Sequence, residues 1–133
     1  MIKLFIGGKG SGKTKTLIEL VNNAVESSNG NVVCIEKGDK LIHDITYKAR
    51  LIDTDYYSIN DAEALYGFIA GILASNSDIT DIFVDSALKI CANDTDAFSA
   101  MLAKFDKITK EVNLVMTASI AVEECPDAIK AYA

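Results

Sequence analysis

Short apolar runs alternate with longer amphipathic stretches along the chain, and this alternation predicts buried strands separated by helices. Ile2–Ile6 is an apolar run that stops at a glycine pair, which is typical of a buried strand. From Lys13 the spacing changes, and apolar residues fall on one helical face until Asn29 and Gly30 supply a stop. The chain is therefore predicted to open with a strand, a glycine-rich turn and a helix.

Four further apolar runs predict the remaining strands. They cover residues Asn31–Glu36, Arg50–Asp53, Asp81–Asp85 and Val112–Met116. Because these runs are apolar nearly throughout and helical stretches separate them, they predict a parallel sheet covered on both faces. The expected fold class is α/β, a three-layer α/β/α sandwich with a mainly parallel sheet. Residues 1–133 have the length of one domain.

The helices between the strands are predicted from apolar spacing and from their ends. Asn60 with Glu63 fits a capping box before an amphipathic helix. On that helix Gly67 and Gly71 lie four residues apart, which favours close packing against another helix. The pattern also predicts a short helix after Asp39, a helix around residues 98–108, and a last short helix at 127–132 opened by the only proline.

Composition and charge exclude several classes of protein. Half of the residues are hydrophobic and 24% are charged, so the chain can build a core. The net charge of −6 predicts no binding of nucleic acid. The longest apolar stretch, residues 64–74, is about half of a membrane span, and no signal peptide is recognisable. We therefore expect a cytoplasmic protein without a membrane span.

Cysteine and histidine are too few and too scattered for a metal centre or a disulfide framework. Cys34, Cys91 and Cys125 lie far apart, with no Cys-x-x-Cys pair, and His43 is the only histidine. We expect three reduced thiols that pack like small hydrophobic side chains.

The segment Gly7–Thr14 carries the most specific signal in the chain. It reads Gly-Gly-Lys-Gly-Ser-Gly-Lys-Thr and satisfies the P-loop, or Walker A, pattern. Glycines bring backbone N–H groups against phosphate oxygens, and the helix that follows aims its positive end at the same anion. Lys13 would neutralise the β- and γ-phosphates of ATP, and Thr14 would offer its hydroxyl to Mg²⁺. The predicted nucleotide contacts are Lys9, Gly10, Ser11, Gly12, Lys13, Thr14 and Lys15.

A dinucleotide-binding turn is the alternative for the same loop. Gly8, Gly10 and Gly12 are spaced two by two, however, whereas the dinucleotide fingerprint needs Gly-x-Gly-x-x-Gly. Glu36 does stand where such folds place a ribose-binding acid. The Lys-Thr pair at the end of the loop favours the phosphate site.

Asp85 is the candidate acid for the metal, because it ends an apolar strand as a P-loop site requires. It would hold Mg²⁺ through water while Thr14 binds the ion directly. An aspartate that merely ends a strand is the alternative. The next position, where many ATPases carry a glutamate that orients the attacking water, is Ser86.

Two other strand ends offer polar side chains. Glu36 is the candidate catalytic base, and a surface carboxylate paired with Lys37 or Lys40 is its alternative. Thr117 and Ser119 end the last strand and would sense the γ-phosphate by hydrogen bonding, although many strands end in such residues without that role.

With these motifs the chain resembles the P-loop NTPases, and within them the RecA-like branch. The resemblance rests on the Gly7–Thr14 loop and on the strands that end at Glu36, Ser86 and Thr117. It implies that Glu36 is the catalytic base. It also implies that the last strand separates the loop strand from the Asp85 strand. The other two strands are expected outside them, with the order 3-2 reversed. The chain also looks like very small bacterial proteins labelled ATP-binding or twitching-motility-like.

Departures from the RecA-like branch leave three functions open. Members of that branch carry a further core strand, so one edge of the sheet here is expected to need a cover. Arg50 is the only arginine in the chain that could act as an arginine finger toward a neighbouring site. The first function is ATP binding with slow or no hydrolysis, as a switch that orders a segment such as Lys37–Tyr57. The second is an ATPase or small-molecule kinase that uses Glu36. The third is a non-enzymatic module of a homo-oligomer or of a complex with another protein.

Overall fold

A computed structural model describes residues 1–133, and in it helices separate most of the consecutive strands. The elements are β1 (Ile2–Gly7), α1 (Lys13–Ser27), β2 (Asn31–Glu36), β3 (Arg50–Asp53), α2 (Ala62–Ser75), β4 (Ile79–Val84), α3 (Ala87–Ile90), α4 (Thr95–Ile108), β5 (Asn113–Ser119), a 3-10 turn (Val122–Glu124) and α5 (Asp127–Lys130). All five predicted strands and the three long helices are confirmed, with ends that move by a few residues.

The five strands form one parallel sheet in the order β1-β5-β4-β2-β3. The last strand therefore lies between the strand that precedes the glycine loop and the strand that precedes Asp85, as the resemblance implied. The carboxyl ends of parallel strands meet at one edge of a sheet. The glycine loop, Glu36, Asp85 and Ser119 consequently come together at that edge.

Helices cover both faces of the sheet. On one face, Leu17 and Val21 of α1 pack with Cys34 and Phe83 in a small buried cluster. On the other face, α2, α3, α4 and α5 close over a larger cluster. Its largest side chains that are almost fully buried include Leu65, Ile69, Phe98, Leu102, Phe105 and Met116. Each such side chain stabilises the fold by about 1.5–3 kcal/mol through burial.

The short helix predicted after Asp39 is wrong. Residues 39–45 form turns, in which Leu41 and Ile45 are buried while Ile42 is exposed. The backbone N–H of Leu41 donates to the carboxylate of Glu36 at 3.0 Å. The Glu36 side chain thus accepts a backbone N–H at the start of this stretch, and the turn forms around its carboxylate.

Two predictions about α2 are also wrong. Its N-cap is Asp61, whose side chain accepts the N–H of Ala64 at 2.7 Å, and the capping box at Asn60 does not form. Gly67 and Gly71 lie on the exposed face of α2, and a Cβ at either position would meet no atom within 4 Å. They do not mediate close helix packing, because the apolar residues beside them supply the packed face.

The C-terminal turn covers part of the open edge of the sheet. β1 is an edge strand, and the N–H of Leu4 donates to the carbonyl of Tyr132 at 2.9 Å. Ile129 of α5 is buried in the same cluster as Leu4. No helix of the chain combines the length and the apolar content needed to cross a bilayer.

Candidate functional site

The glycine loop adopts backbone conformations that only glycine takes easily. Gly10 and Gly12 both have φ of 85°, in the left-handed region. Gly12 is the N-cap of α1 and leaves the first turn without a side-chain cap. The N–H groups of that turn therefore point out of the helix with no side-chain acceptor, which is the arrangement that binds phosphate.

Two side chains at the start of α1, those of Lys13 and Thr14, point to different partners. Lys13 lies back along the loop, where its Nζ donates to the carbonyl of Gly8 at 2.9 Å and to Oγ of Ser11 at 3.2 Å. Thr14 donates from Oγ1 to Oδ1 of Asp85 at 3.1 Å. The ammonium group thus stays beside the loop while the hydroxyl reaches across to β4.

Asp85 is held by groups from two neighbouring strands. Its N–H donates to the carbonyl of Ile35 on β2 at 2.8 Å, and its Oδ1 accepts a hydrogen bond from Oγ1 of Thr117 on β5 at 2.8 Å. The N–H of Ser86 donates to the same threonine oxygen at 2.7 Å. Ser86 itself has φ of 55°, a strained value for a residue other than glycine. The carboxylate is therefore set in one position beside Thr14.

The two polar residues at the carboxyl end of β5, Thr117 and Ser119, lie in different surroundings. Thr117 is buried, and its hydroxyl already donates to Asp85 and accepts from Ser86. It does not line the cavity at this edge of the sheet, whereas Ser119 does. Of the two residues predicted to sense the γ-phosphate, the structure thus brings only Ser119 to the cavity.

Glu36 is a buried carboxylate inside the site. Only 2% of the residue is exposed, and its Oε2 accepts the N–H of Leu41. Burial raises the pKa of Glu36 above its ordinary value, and the nearby charge of Asp85 adds to the increase. The alternative of a surface carboxylate paired with a lysine is therefore wrong, and Lys37 instead pairs with Asp55 at 2.6 Å.

Lys13, Thr14, Glu36, Asp85 and Ser119 line one cavity of about 650 Å³. It is lined by Lys9, Gly10, Gly12, Lys13, Thr14, Lys15, Glu36, Lys37, Lys40, Leu41, Asp85, Ser86, Lys89, Asn93 and Ser119. Of the predicted nucleotide contacts, only Ser11 does not line it. The pattern of the sequence did not identify Lys89 and Asn93, because four-residue α3 and the left-handed turn after it leave no periodic signal.

The side chains at this site include oxygen donors of the kind that Mg²⁺ takes. No group of three or more His, Cys, Asp or Glu side chains lies close enough to hold a metal ion. Mg²⁺ needs no such cage, because it is held by one or two carboxylates together with phosphates and water. The hydroxyl of Thr14 and the carboxylate of Asp85, 3.1 Å apart, supply the oxygen donors of that kind.

Arg50 lies away from the site. It begins β3, whose other end, Asp53, stands at the carboxyl edge of the sheet beside Glu36. Three residues of strand correspond to about 10 Å. Arg50 is therefore at the opposite end of the sheet from the glycine loop and does not line the cavity.

Comparison with known proteins assigns no family to this geometry. No protein-family model matches the chain, and no curated protein matches it.

Proposed function

We propose that the chain binds ATP as its Mg²⁺ complex through the Gly7–Thr14 loop, as a small P-loop nucleotide-binding protein of RecA-like type. The observation that carries the proposal is the hydrogen bond of 3.1 Å between Thr14 and Asp85, which are 71 residues apart in the chain. A glycine loop by itself is a turn. A glycine loop whose threonine meets a buried aspartate beside a lysine has the parts of a Mg²⁺–phosphate site.

Each part of the site has a separate task in this proposal. The uncapped first turn of α1 and the ammonium of Lys13 would bind the phosphates, while Thr14 and Asp85 would hold the metal. Mg²⁺, when bound, draws negative charge from the phosphate oxygens. The absence of an Asn-Lys-x-Asp guanine signature favours adenine as the base.

Titration with a fluorescent ATP analogue, with and without Mg²⁺, tests this proposal. Wild-type protein should bind the analogue more tightly when Mg²⁺ is present, and Thr14→Val should lose that gain. Thr16→Val is the matched control, because Thr16 is exposed on the same helix and its hydroxyl bonds only to the carbonyl of Gly12. Equal Mg²⁺ dependence in Thr14→Val and Thr16→Val would refute the assignment.

Phosphoryl transfer with Glu36 as the general base is a second candidate function. It is favoured by the burial of Glu36 in the same cavity, by its raised pKa and by the N–H of Leu41 that orients its carboxylate. A higher pKa makes a carboxylate a stronger base near neutral pH. Many ATPases carry a glutamate directly after the metal-binding aspartate, where this chain has Ser86. Glu36 would take the role of that glutamate.

Release of ADP by Glu36→Gln, compared with wild type, tests the second candidate. Loss of a general base lowers turnover by about 10²–10⁴-fold, while ATP binding should be preserved because the amide oxygen can still accept the N–H of Leu41. Glu26→Gln, at an exposed position of α1, is the control for the change of charge. Equal turnover in the two variants would remove Glu36 from the mechanism.

A further inference from the structure

Lysines are concentrated around the cavity well beyond what the composition of the chain suggests. Thirteen residues are basic and Arg50 is the single arginine, which leaves twelve lysines. Six of these twelve line the cavity, where the only acids are Glu36 and Asp85. In a chain of net charge −6, this cavity is a local region of positive potential that selects anions.

Three of the six lysines lie outside the glycine loop and its helix. Lys37 is neutralised by Asp55 at 2.6 Å, which is the only salt bridge in the chain. Lys40 and Lys89 are exposed and have no acidic partner. Both residues line the cavity, so an anion bound there would meet positive charge that no acidic side chain neutralises.

The positions of Lys40 and Lys89 connect them to the reacting groups. Lys40 directly precedes Leu41, whose backbone N–H donates to the carboxylate of Glu36 at 3.0 Å. Lys89 lies on α3, which starts immediately after Ser86, and Asn93 follows in a left-handed turn with φ of 58°. One lysine is thus carried by the turn around Glu36 and the other by the helix after Asp85.

The lining of the cavity defines the chemistry of a second ligand. Leu41 is its only hydrophobic residue, so no apolar or aromatic wall is available there. The triphosphate already has Lys9, Lys13, Lys15 and the start of α1 on the loop side. The volume of about 650 Å³ is typical of small-molecule sites, which span about 300–1,000 Å³.

We propose that Lys40, Lys89 and Asn93 form an anion subsite for a small phosphate monoester that accepts the γ-phosphoryl group of ATP. This inference rests on the proposed nucleotide site and on Glu36 as the base. A hydroxyl oxygen of the acceptor forms a new bond to the γ-phosphorus as the bond to the β,γ-bridging oxygen breaks. The hydroxyl proton passes to Glu36, and ADP leaves with the electron pair of the broken bond.

Calorimetric titration with inorganic phosphate, used as the probe, tests the subsite. The protein is first saturated with Mg²⁺ and a non-hydrolysable ATP analogue, so that the γ-phosphate position is filled. Potassium chloride of equal ionic strength is the blank. Lys40→Gln with Lys89→Gln is the test variant. Lys107→Gln with Lys110→Gln is the matched control, because both of these lysines are exposed and lie outside the cavity.

Wild type and the control variant should bind phosphate saturably, and the test variant should bind it at least about tenfold more weakly because two charge-assisted contacts are lost. Absence of phosphate binding in wild type that does bind the analogue would overturn the subsite and leave the nucleotide proposal intact. An equal loss in the control variant would overturn it as well. Failure of the analogue itself to bind would remove the proposed function, and the subsite with it.

Discussion

Thr117 is a positioning residue, because its hydroxyl joins Asp85 to the backbone of Ser86. It donates to Oδ1 of Asp85 at 2.8 Å and accepts the N–H of Ser86 at 2.7 Å, while the residue is only 1% exposed. A buried hydrogen-bonding group that loses its partner costs about 1–3 kcal/mol. The threonine therefore contributes to stability and to the geometry of the proposed metal site together.

Thr117→Val should lower the free energy of unfolding by about 1–3 kcal/mol and reduce the gain in nucleotide affinity on adding Mg²⁺. Thr117→Ser, which keeps the hydroxyl, should restore most of that gain. Urea unfolding and nucleotide titration with and without Mg²⁺ measure the two effects. If serine and valine were equally defective in Mg²⁺ dependence, the hydroxyl would have no part in placing Asp85.

Glu36 makes stability depend on pH in a direction set by its raised pKa. Because burial favours the protonated form, the folded state binds this proton more tightly than the unfolded state does. The stabilising effect is complete below the ordinary pKa of glutamate and is lost as pH rises through the raised pKa of the folded state. Above that value the buried charge destabilises the fold.

Glu36→Gln should therefore be more stable than wild type at neutral pH, and the difference should disappear as pH falls below the ordinary glutamate pKa. Chemical denaturation across this pH range measures the difference between the two proteins, in which the other titrating groups cancel. A constant difference at all pH values would show that the pKa of Glu36 is not raised.

Sequence patterns identify residues of the site whose signal is local. The glycine loop, Lys13, Thr14 and Asp85 could be predicted because the motif and the strand end are continuous in the chain. The contacts of Thr117 could not, since they depend on which strand lies beside β4. Nor could the burial of Glu36, which results from the turn at Leu41 that folds over its carboxylate.

At the scale of the elements, two turns at the amino-terminal end of the sheet pack closely against each other at Gly30. The turn after α1 approaches the turn after α2, where the N–H of Asn31 donates to the carbonyl of Asp78 at 2.8 Å. A Cβ on Gly30 would lie 2.1 Å from that same carbonyl oxygen. The close approach of two backbone segments, which cannot yield as a side chain can, requires glycine here.

Gly30→Ala should destabilise the protein by about 1–3 kcal/mol, because the added methyl overlaps a backbone atom. Gly71→Ala is the matched control: its Cβ meets nothing within 4 Å, and alanine favours a helix over glycine by up to about 1 kcal/mol. Thermal unfolding of both variants measures the contrast. A tolerated Gly30→Ala would mean that the two turns can separate at little cost.

The elements that could be predicted are those with enough periodic residues. Continuous apolar runs gave the five strands, and repeated helical spacing gave α1, α2 and α4. The four residues of α3 are too few for a period. The stretch after Asp39 has helical spacing, but its Leu41 N–H donates to the carboxylate of Glu36 and only turns form. Asn60 and Asp61 are both good N-caps, so the sequence alone could not decide between them.

In the whole molecule, the parallel sheet gathers positive charge at one end of an acidic protein. Six lysines line the cavity at the carboxyl ends of the strands, although acidic residues exceed basic ones by six over the chain.

The edge strand β1 is covered in part by Tyr132 and α5 of the same chain. Assembly into an oligomer stays a prediction, and light scattering with and without nucleotide tests it.

Thermal unfolding with and without Mg·ATP is the measurement that tests the nucleotide site most directly. Ligand at a hundred times its dissociation constant stabilises the folded state by about 2.7 kcal/mol, which raises Tm by several degrees. Wild type and Lys107→Ala should show this rise, and Lys13→Ala should not. No rise in wild type at millimolar Mg·ATP, or an equal rise in Lys13→Ala, would contradict the proposal that the Gly7–Thr14 loop binds the nucleotide.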